Sequence, residues 1–405
     1  MTQAVSPSLV TQSLDELIES VTDHARRRFS TQDSPRIVVS PYRFNPLGAH
    51  VDHQGGAAVA RTLNQYSVGA FYPSNSKSVT IISTSFGEDK ASFDMSDALT
   101  GDSWQRYAMA SALVFDLWAK QRGLSTVGMH MVVEGTMVGA GLSSSASIIL
   151  AYLTSLASVN QVTLSEKELV ELVRQVENEH MGLNNGVQDQ MSVVFGQRNA
   201  LSQVNVDAVD VDYWHDAPNI NEVQWLVCYS GFSRELISSG FNDRVSECQQ
   251  AAGMLSLEAK RLGDVPVDAR SPQAIDNLPA ELGRRAKHVY SEIQRVADAK
   301  PLWEAGDWAG FGAMMNASCA SSIEHYECGS EPMHVLQKLA LNTNGVYGSR
   351  FSGGGYGGCL IMLVNTQSVA QAAESMLSSY LEHYPEKAGI ATVFVAQAEA
   401  AVRVL

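Results

Sequence analysis

The most informative segment of this sequence is SPYRFNPLGAHVDHQGG, residues 40–56. It follows an apolar run at residues 36–40 that is typical of a buried strand, and two prolines and three glycines interrupt it. These residues let a backbone bend sharply and approach a ligand closely. Just past the expected strand end, the segment carries the side chains of Arg43, His50, Asp52 and His53. We interpret this cluster as a site for a small polyhydroxylated ligand; the alternative is a solvated turn.

A second segment, VGAGLSSSASIIL at residues 138–150, follows the apolar run at residues 129–133. Small residues, then serines, then an apolar helical pattern predict a strand that leads through a loop into a helix N-terminus. Unpaired backbone N–H groups and the positive end of the helix dipole make such a terminus a site for anions. No Gly-Lys-Ser/Thr follows the glycines, so the segment is not a Walker loop. Alone, it fits a phosphate site and an ordinary helix start equally well.

The third segment is GVYGSRFSGGGYGGCLIML, residues 345–363. Five of the six residues from Gly353 to Gly358 are glycine, and they lead directly into an apolar strand pattern. Such backbone freedom costs conformational entropy on folding. We therefore expect this loop to pack closely against another backbone or a ligand.

In this order, the three segments resemble the three motifs of the GHMP small-molecule kinases, in their galactokinase branch. The first motif in that branch is approximately PGRVNLIGEHTDYNGG, and here Tyr42 replaces the usual Gly and Ala49 the usual Glu. With these departures the segment is more similar to galacturonokinases. Three downstream stretches strengthen that resemblance: residues 244–251, 321–332 and 345–352.

The resemblance implies an α+β architecture with two lobes and an active site in the cleft between them. Mixed strand and helix patterns along the chain agree with that fold class. The polar stretch at residues 207–221 is the candidate boundary between the lobes. We therefore predict an N-terminal lobe at residues 1–212, with the sugar motif, phosphate loop and catalytic aspartate, and a C-terminal lobe at residues 213–405.

Composition narrows the choice of partners and compartment. The 405 residues carry a formal net charge of −15, which argues against nucleic acid and anionic membrane surfaces. The five cysteines show no CxxC spacing, so we expect reduced thiols in a cytoplasmic protein rather than a disulfide framework or a zinc site. No run is long enough to cross a bilayer, and the acidic N-terminal region is unlike a signal peptide. We expect a monomer or a weak homodimer.

The catalytic residues are expected in ENEHMGLNNGVQDQ, residues 177–190. Asp189 follows a turn, and without context it would be taken for a solvated loop residue. The family pattern implies instead that Asp189 is the catalytic aspartate, with Arg43 beside it, and that Glu177 binds magnesium. Whether Asp189 acts as a base or as an orienting charge stays open. Asn185 stands where galactokinases usually carry Cys, a change that the sequence does not explain.

The resemblance also implies the ligand-binding residues. Mg²⁺ would be held by Glu177 and Ser145, and Trp104 would lie near the adenine of ATP, although a core position for Trp104 is the alternative. The phosphates of ATP would contact the loop formed by Gly139, Ala140, Gly141, Leu142, Ser143, Ser144 and Ser145. The sugar would contact Tyr42, Ala49, His50, Asp52, Gly186 and Phe241.

Ala49 allows a physical argument about the substrate. In galactokinases the matching Glu accepts a hydrogen bond from the sugar 6-hydroxyl. A uronic acid carries a carboxylate there, and two carboxylates about 4 Å apart would repel by roughly 4 kcal/mol at an effective dielectric constant of 20. Replacement of Glu by Ala removes that repulsion and makes room for the second oxygen. We expect the Tyr42 hydroxyl, or less directly Arg61, to meet the sugar carboxylate.

Three functions remain open on the sequence. The leading one is an ATP-dependent kinase that converts D-galacturonic acid to galacturonate 1-phosphate. The second is a galactokinase or another sugar 1-kinase, such as an arabinokinase. The third is a non-catalytic sensor of sugar and ATP, which the intact serine loop and Asp189 argue against.

Overall fold

The structure is a computed structural model that describes residues 11–29, 33–101, 104–183, 185–233 and 240–405, without the side chain of Phe241. Its α-helices are α1 (Leu14–Phe29), α2 (Trp104–Lys120), α3 (Ser144–Val159), α4 (Glu166–Arg174), α5 (Gln188–Val194), α6 (Phe241–Leu255), α7 (Pro272–Asp276), α8 (Ala280–Ala305), α9 (Trp308–Glu324), α10 (Glu331–Leu341) and α11 (Val369–His383). Its strands are β1 (Arg36–Leu47), β2 (Ala58–Pro73), β3 (Ser78–Ser83), β4 (Asp89–Asp94), β5 (Met129–Gly135), β6 (Ala200–Asn205), β7 (Asp210–His215), β8 (Val223–Tyr229), β9 (Val346–Phe351), β10 (Cys359–Asn365), β11 (Thr392–Ala396) and β12 (Arg403–Val404). None of the helices in the described ranges is both long and apolar enough to span a membrane.

The first lobe is built on a mixed sheet with the strand order β12-β1-β2-β5-β3-β4, which β6 and β7 extend from β2. Side chains alternate between the two faces of a strand, so β2 contributes to two separate cores. Phe71 faces the core that α2 to α5 cover, while Val68 and Ala70 face the core under α1. The sheet is thus buried on both faces.

The second lobe contains an antiparallel sheet with the strand order β11-β8-β10-β9. One face packs on α10 and α11. The other face contributes Trp225 and Ile361 to an apolar cluster that also contains Phe44 and Val59 of the first sheet. This shared cluster joins the two lobes, and the α+β two-lobed prediction is confirmed.

The strand predicted at residues 36–40 is only the first part of β1, which continues to Leu47. Arg43 therefore lies within a strand, and the expectation that it follows the strand end is wrong. The pairing of β1 with β2 changes register after Pro41 and again between Phe44 and Leu47. A proline cannot donate a hydrogen bond to the ladder, so irregular pairing is expected beside each proline.

The predicted lobe boundary after residue 212 falls inside β7, which pairs with β6 in the first sheet. β7 lies at the edge of the sheet, and Trp214 is the one residue of this strand that is buried. Most of its other residues are polar and at least partly exposed, which gives the stretch the sequence pattern of a linker. The end of the chain also returns to the first lobe, since β12 pairs with β1. The division into lobes at residues 1–212 and 213–405 stays a prediction.

The glycine-rich third segment packs against the loop before α3. A Cβ atom at Gly358 would lie 2.6 Å from the carbonyl oxygen of Ala140, so a larger residue would push the two backbones apart. The Gly358 N–H also donates to the carbonyl of Phe232 at 2.8 Å. The expectation of close backbone packing is met by these contacts.

Candidate active site

A cavity opens between the lobes, where β1, the loop after it, the start of α3, the approach to α5 and the end of β9 meet. Its walls are formed by Arg43, Asn45, Gly48, Ala49, His50, Asp52, His53, Ser145, Glu177, Gly182, Leu183, Asn185, Gly186, Gln188, Asp189, Asn242, Arg350, Gly353 and Gly354. The sequence predicted these members of the set: Arg43, Ala49, His50, Asp52, His53, Ser145, Glu177, Gly186 and Asp189. Residues from three distant segments are thus brought together.

Asp189 lies in the first turn of α5, not on a loop, and it pairs with Arg43 of β1. Nε and Nη2 of Arg43 donate to the same oxygen, Oδ1 of Asp189, at 2.9 and 2.6 Å. The Arg43 side chain is 2% exposed, and its Nη1 also donates to the Gly141 carbonyl at 3.4 Å. The guanidinium therefore links the carboxylate to the serine-rich loop and fixes its orientation.

The loop after β1 is held by the second lobe. The His50 ring stacks on Tyr326 with ring centroids 4.3 Å apart. The two ring nitrogens of His53 lie 3.2 Å from Asp52 Oδ1 and 3.3 Å from the Tyr326 hydroxyl. A Cβ atom at Gly186 would lie 2.0 Å from Asp52 Oδ2, so glycine is needed where Asp52 approaches. Together these contacts hold a carboxylate and an imidazole at the cavity wall.

The serine-rich loop connects β5 to α3 as predicted, and Ser145 at the start of α3 lines the cavity. The side chains of Ala140 and Leu142 are buried between the lobes, so these residues can offer only backbone groups to a ligand. Ser143 adopts a left-handed conformation with φ 61° and makes no capping hydrogen bond with its side chain. In the loop, the N–H groups of Gly139 and Ala140 donate within the protein, to Ser144 Oγ at 3.2 Å and to the Met137 carbonyl at 3.3 Å. The first N–H groups of α3 have no partner within the helix, and a helix N-terminus of this kind favours anions.

Glu177 lies in a π-helical segment, Gln175–His180, and its carboxylate is buried at the cavity wall. Asn185 Nδ2 donates to Glu177 Oε2 at 2.9 Å, which gives a structural role to the residue that the sequence left unexplained. Within the described residues, no three acidic, histidine or cysteine side chains form a metal cluster. The Glu177 carboxylate and the Ser145 hydroxyl are two oxygen donors, and they suit a Mg²⁺ ion whose other ligands would be phosphate oxygens and water.

Two residues that were predicted to contact the sugar do not line the cavity. The Tyr42 side chain is fully buried in the cluster between the lobes, outside the cavity, because it points to the opposite face of β1 from Arg43. Burial raises the pKa of its hydroxyl. Arg61 lies outside the cavity as well, in a bidentate pair with Asp216 at 2.6 and 2.7 Å.

The remaining predicted residues lie away from the cavity or outside the described part. The Trp104 ring stacks on Phe86 with centroids 6.0 Å apart, and its Nε1 donates to Asp89 at 3.1 Å. It therefore packs on the first lobe without lining the cavity. The side chain of Phe241 is not described, so its predicted sugar contact stays a prediction.

Sequence reasoning missed several residues of the site. Asn45 of β1 donates to the Val59 carbonyl at 3.2 Å, while its buried Oδ1 has no hydrogen-bond partner among the described residues. Asn242 and Arg350 come from the second lobe. Arg350 stands three positions before the glycine-rich run. This position was the one feature of the sequence that could have identified Arg350 as a residue of the site.

A buried carboxylate from α8, Glu292, supports the loop after β1. Its Oε1 accepts hydrogen bonds from the N–H groups of Gly48 and Ala49 at 2.8 and 3.1 Å and from Ser318 at 2.6 Å. Burial favours a raised pKa, but Arg295 and Arg350 lower the pKa of Glu292 to about 2. The carboxylate is therefore ionised, and nothing in the local sequence of α8 marks it as part of a site.

Known proteins match this chain over nearly its whole length, and two family models match parts of it. Residues 107–197 match the GHMP kinases N terminal domain, and residues 299–383 match the GHMP kinases C terminal domain. The chain is 33% identical to a galacturonokinase of Arabidopsis thaliana, covering 91% of this chain and 93% of the relative. It is 30% identical to a galactokinase of Roseiflexus sp., and the match covers 93% of this chain and 95% of the relative. The crystal structure of Lactococcus lactis galactokinase complexed with galactose superposes with a TM-score of 0.87 at 24% identity, covering 96% and 99%.

The fold and the matches define the class of the protein: the chain belongs to the GHMP kinases. Within that family it is an ATP-dependent sugar kinase of the galactokinase and galacturonokinase type. The predicted family is confirmed.

Proposed function

We propose that this enzyme transfers the γ-phosphoryl group of ATP to the anomeric hydroxyl of D-galacturonic acid, giving galacturonate 1-phosphate and ADP. The observation that carries the proposal is Ala49 at the cavity wall, at the position where galactokinases have a glutamate. The similarity to a protein named galacturonokinase supports the same substrate.

Asp189 and Arg43 would perform the catalytic step. Phosphoryl transfer has a loose transition state, so positioning and charge neutralisation contribute more than covalent chemistry. Asp189 would accept the proton of the anomeric hydroxyl and hold that oxygen in line with the γ-phosphorus. Arg43 would keep the carboxylate oriented through its two hydrogen bonds to Oδ1. His50, Asp52 and Asn45 would bind the other sugar hydroxyls.

The nucleotide would lie along the serine-rich loop. The backbone N–H groups of residues 139–144 would bind the phosphates, and the Phe86–Trp104 pair would lie on the adenine side. Glu177 and the Ser145 hydroxyl would hold Mg²⁺. The ion, when bound, neutralises charge on the β- and γ-phosphates.

Glu177→Gln is expected to raise the Mg²⁺ concentration for half-maximal activity at least about fivefold, since a neutral amide binds a hard cation less well than a carboxylate. The sugar KM should change little. Titration of Mg²⁺ at saturating ATP and sugar measures both effects. Glu179→Gln, in the same segment with an exposed side chain, is the matched control and should behave as wild type. An unchanged Mg²⁺ requirement in Glu177→Gln would remove this residue from the metal site.

The substrate argument rests on charge. A glutamate at position 49 would face the carboxylate of galacturonate, whereas alanine leaves room for it. The same alanine deprives galactose of a charge-assisted hydrogen bond, worth about 1.5–3 kcal/mol. Both effects favour galacturonate.

A galactokinase is the second candidate, because proteins of that name match about nine-tenths of the chain at 29–30% identity. An arabinokinase activity is a weaker alternative. A non-catalytic sensor role is also weaker, because the proposed metal-binding and catalytic residues Ser145, Glu177 and Asp189 all line one cavity.

A coupled assay of ADP release separates these functions. The sugars are galacturonate, glucuronate, galactose and arabinose, each with saturating ATP and Mg²⁺. We expect galacturonate to give the highest kcat/KM. A galactose value equal to or above it would replace our proposal with a galactokinase, and no turnover with any sugar would support a sensor.

We further propose a cytoplasmic enzyme that acts as a monomer or weak homodimer, with sugar and ATP as its small-molecule partners. All five cysteines are buried free thiols, which suits a reducing compartment. The net charge of −15 disfavours nucleic acid and anionic membranes as partners.

A further inference from the structure

Arg350 is the fifth residue of β9, and it brings a positive charge from the second lobe to the cavity. Its side chain is 1% exposed, and it forms part of the cavity wall. Gly353 and Gly354, which line the same wall, follow the strand after one residue, Ser352. A buried arginine is costly unless it is paired, and its contacts therefore indicate what it can bind.

The contacts within the protein use only part of the guanidinium. Nε donates to the Phe351 carbonyl at 3.0 Å, and Nη1 donates to Ser318 Oγ at 3.0 Å. Nη1 also lies 3.7 Å from Glu292 Oε1, beyond hydrogen-bond distance. No described residue accepts a hydrogen bond from Nη2. One edge of the guanidinium is thus available to a ligand in the cavity.

The charges around Arg350 do not cancel. Glu292 is paired more closely with Arg295, whose Nε lies 2.7 Å from Oε2. Two guanidinium groups therefore share one carboxylate. His288 beside them adds no charge at neutral pH, because burial lowers its pKa to about 4. Burial also lowers the pKa of Arg350, and Glu292 opposes that shift. Among Arg295, Arg350 and Glu292, one positive charge is therefore left without a carboxylate of its own.

The excess charge lies close to Ala49. Glu292 Oε1 accepts the Ala49 N–H at 3.1 Å and is the carboxylate oxygen of Glu292 that lies 3.7 Å from Arg350 Nη1, so the two residues flank the same atom. Arg43, the other arginine at the cavity wall, already gives two hydrogen bonds to Asp189. Arg350 is therefore the better placed cation for an anionic group of the sugar.

We propose that Arg350 is a second specificity-determining residue of this kinase besides Ala49, and that its guanidinium binds the C6 carboxylate of the uronic acid. The inference rests on the proposed function. It replaces the predicted role of Tyr42 with a residue that lines the cavity. Glu292 would act as a positioning residue, because it holds both the Ala49 backbone and the guanidinium.

The test compares wild type with Arg350→Gln on galacturonate, its neutral amide galacturonamide, and galactose. The amide has nearly the same shape without the charge, so the ratio of the two kcat/KM values isolates the ionic contact. We expect wild type to prefer the acid at least about tenfold, as a charged hydrogen bond contributes that much. Arg350→Gln should abolish the preference, because kcat/KM should fall at least about tenfold more for galacturonate than for galacturonamide or galactose, while the ATP KM changes less than about threefold.

Arg295→Gln is the matched control, since it removes the other guanidinium from Glu292 but does not line the cavity. It should retain the preference for the acid. Calorimetric binding of galacturonate without ATP provides a readout besides turnover and should weaken about tenfold in Arg350→Gln only. If Arg350→Gln does not fold, Arg350→Lys tests the same point, because it keeps the charge. Arg350→Lys should retain part of the preference for the acid and leave galactose unchanged.

Three results would overturn the inference. An Arg350 variant that folds and still prefers the acid as wild type does would show that the guanidinium does not bind the carboxylate. Equal losses for all three sugars would indicate a structural role, and a raised ATP KM would assign Arg350 to the phosphates. In each case wild-type activity on galacturonate would leave the proposed function standing. If wild type does not phosphorylate galacturonate, the proposed function fails, and this inference fails with it.

Discussion

Asp189→Asn is expected to lower kcat by about two to four orders of magnitude while ATP binding stays nearly unchanged. The asparagine keeps the shape of the side chain but loses the proton acceptor and the negative charge. The Arg43 side chain, which is 2% exposed, then lacks a counter-charge, so the free energy of unfolding should fall by about 3 kcal/mol. Steady-state kinetics, ATP titration and thermal melting measure the three effects.

Asp216→Asn separates loss of catalysis from loss of stability. Asp216 pairs with Arg61 outside the cavity, and the side chains are 13% and 6% exposed, comparable with 19% and 2% for Asp189 and Arg43. The control should destabilise the protein to a similar degree and keep kcat within about threefold. If Asp189→Asn retains more than about a tenth of wild-type kcat, Asp189 is not the catalytic aspartate.

Ala49→Glu is expected to lower kcat/KM for galacturonate at least tenfold, or about 1.4 kcal/mol, and to leave galactose unchanged or improved. The new carboxylate faces that of the substrate and competes with it for Arg350. The expected loss is smaller than the unscreened repulsion because both groups are partly hydrated and the new side chain can rotate away. Kinetics with both sugars measure the change in preference.

Ala49→Gln is the control for size, since it adds the same number of atoms without the charge. It should lower galacturonate activity less than Ala49→Glu does. If the two variants lose galacturonate activity equally, Ala49 acts through space alone and charge selection at this position is refuted.

Local sequence was sufficient where the chemistry is carried by one short segment. The serine-rich loop before α3 and the close packing of the glycines near Gly358 follow from residue types and spacing, because the required backbone conformations limit which residues fit. Resemblance to the family was needed for Asp189 and Glu177. Each of them, taken alone, has the pattern of an ordinary surface carboxylate.

The directions of side chains were less predictable. Tyr42 and Arg43 are neighbours in the sequence, but successive residues of a strand point to opposite faces, so only Arg43 reaches the cavity. We expected β1 to end before Tyr42 and Arg43, because prolines interrupt its sequence pattern. In the structure β1 continues past the two prolines, because its pairing with β2 shifts register near each of them.

The sequence by itself determined the family, the two lobes and the segments that form the site, because these depend on local patterns and on the order of motifs. Only the tertiary structure brought Arg350, Glu292 and Ala49 together. They come from β9, α8 and the loop after β1, more than 50 residues apart in each case, and there Arg295 and Arg350 share the single carboxylate of Glu292. Electrostatic complementarity depends on distance and burial in space, and no local sequence pattern records either.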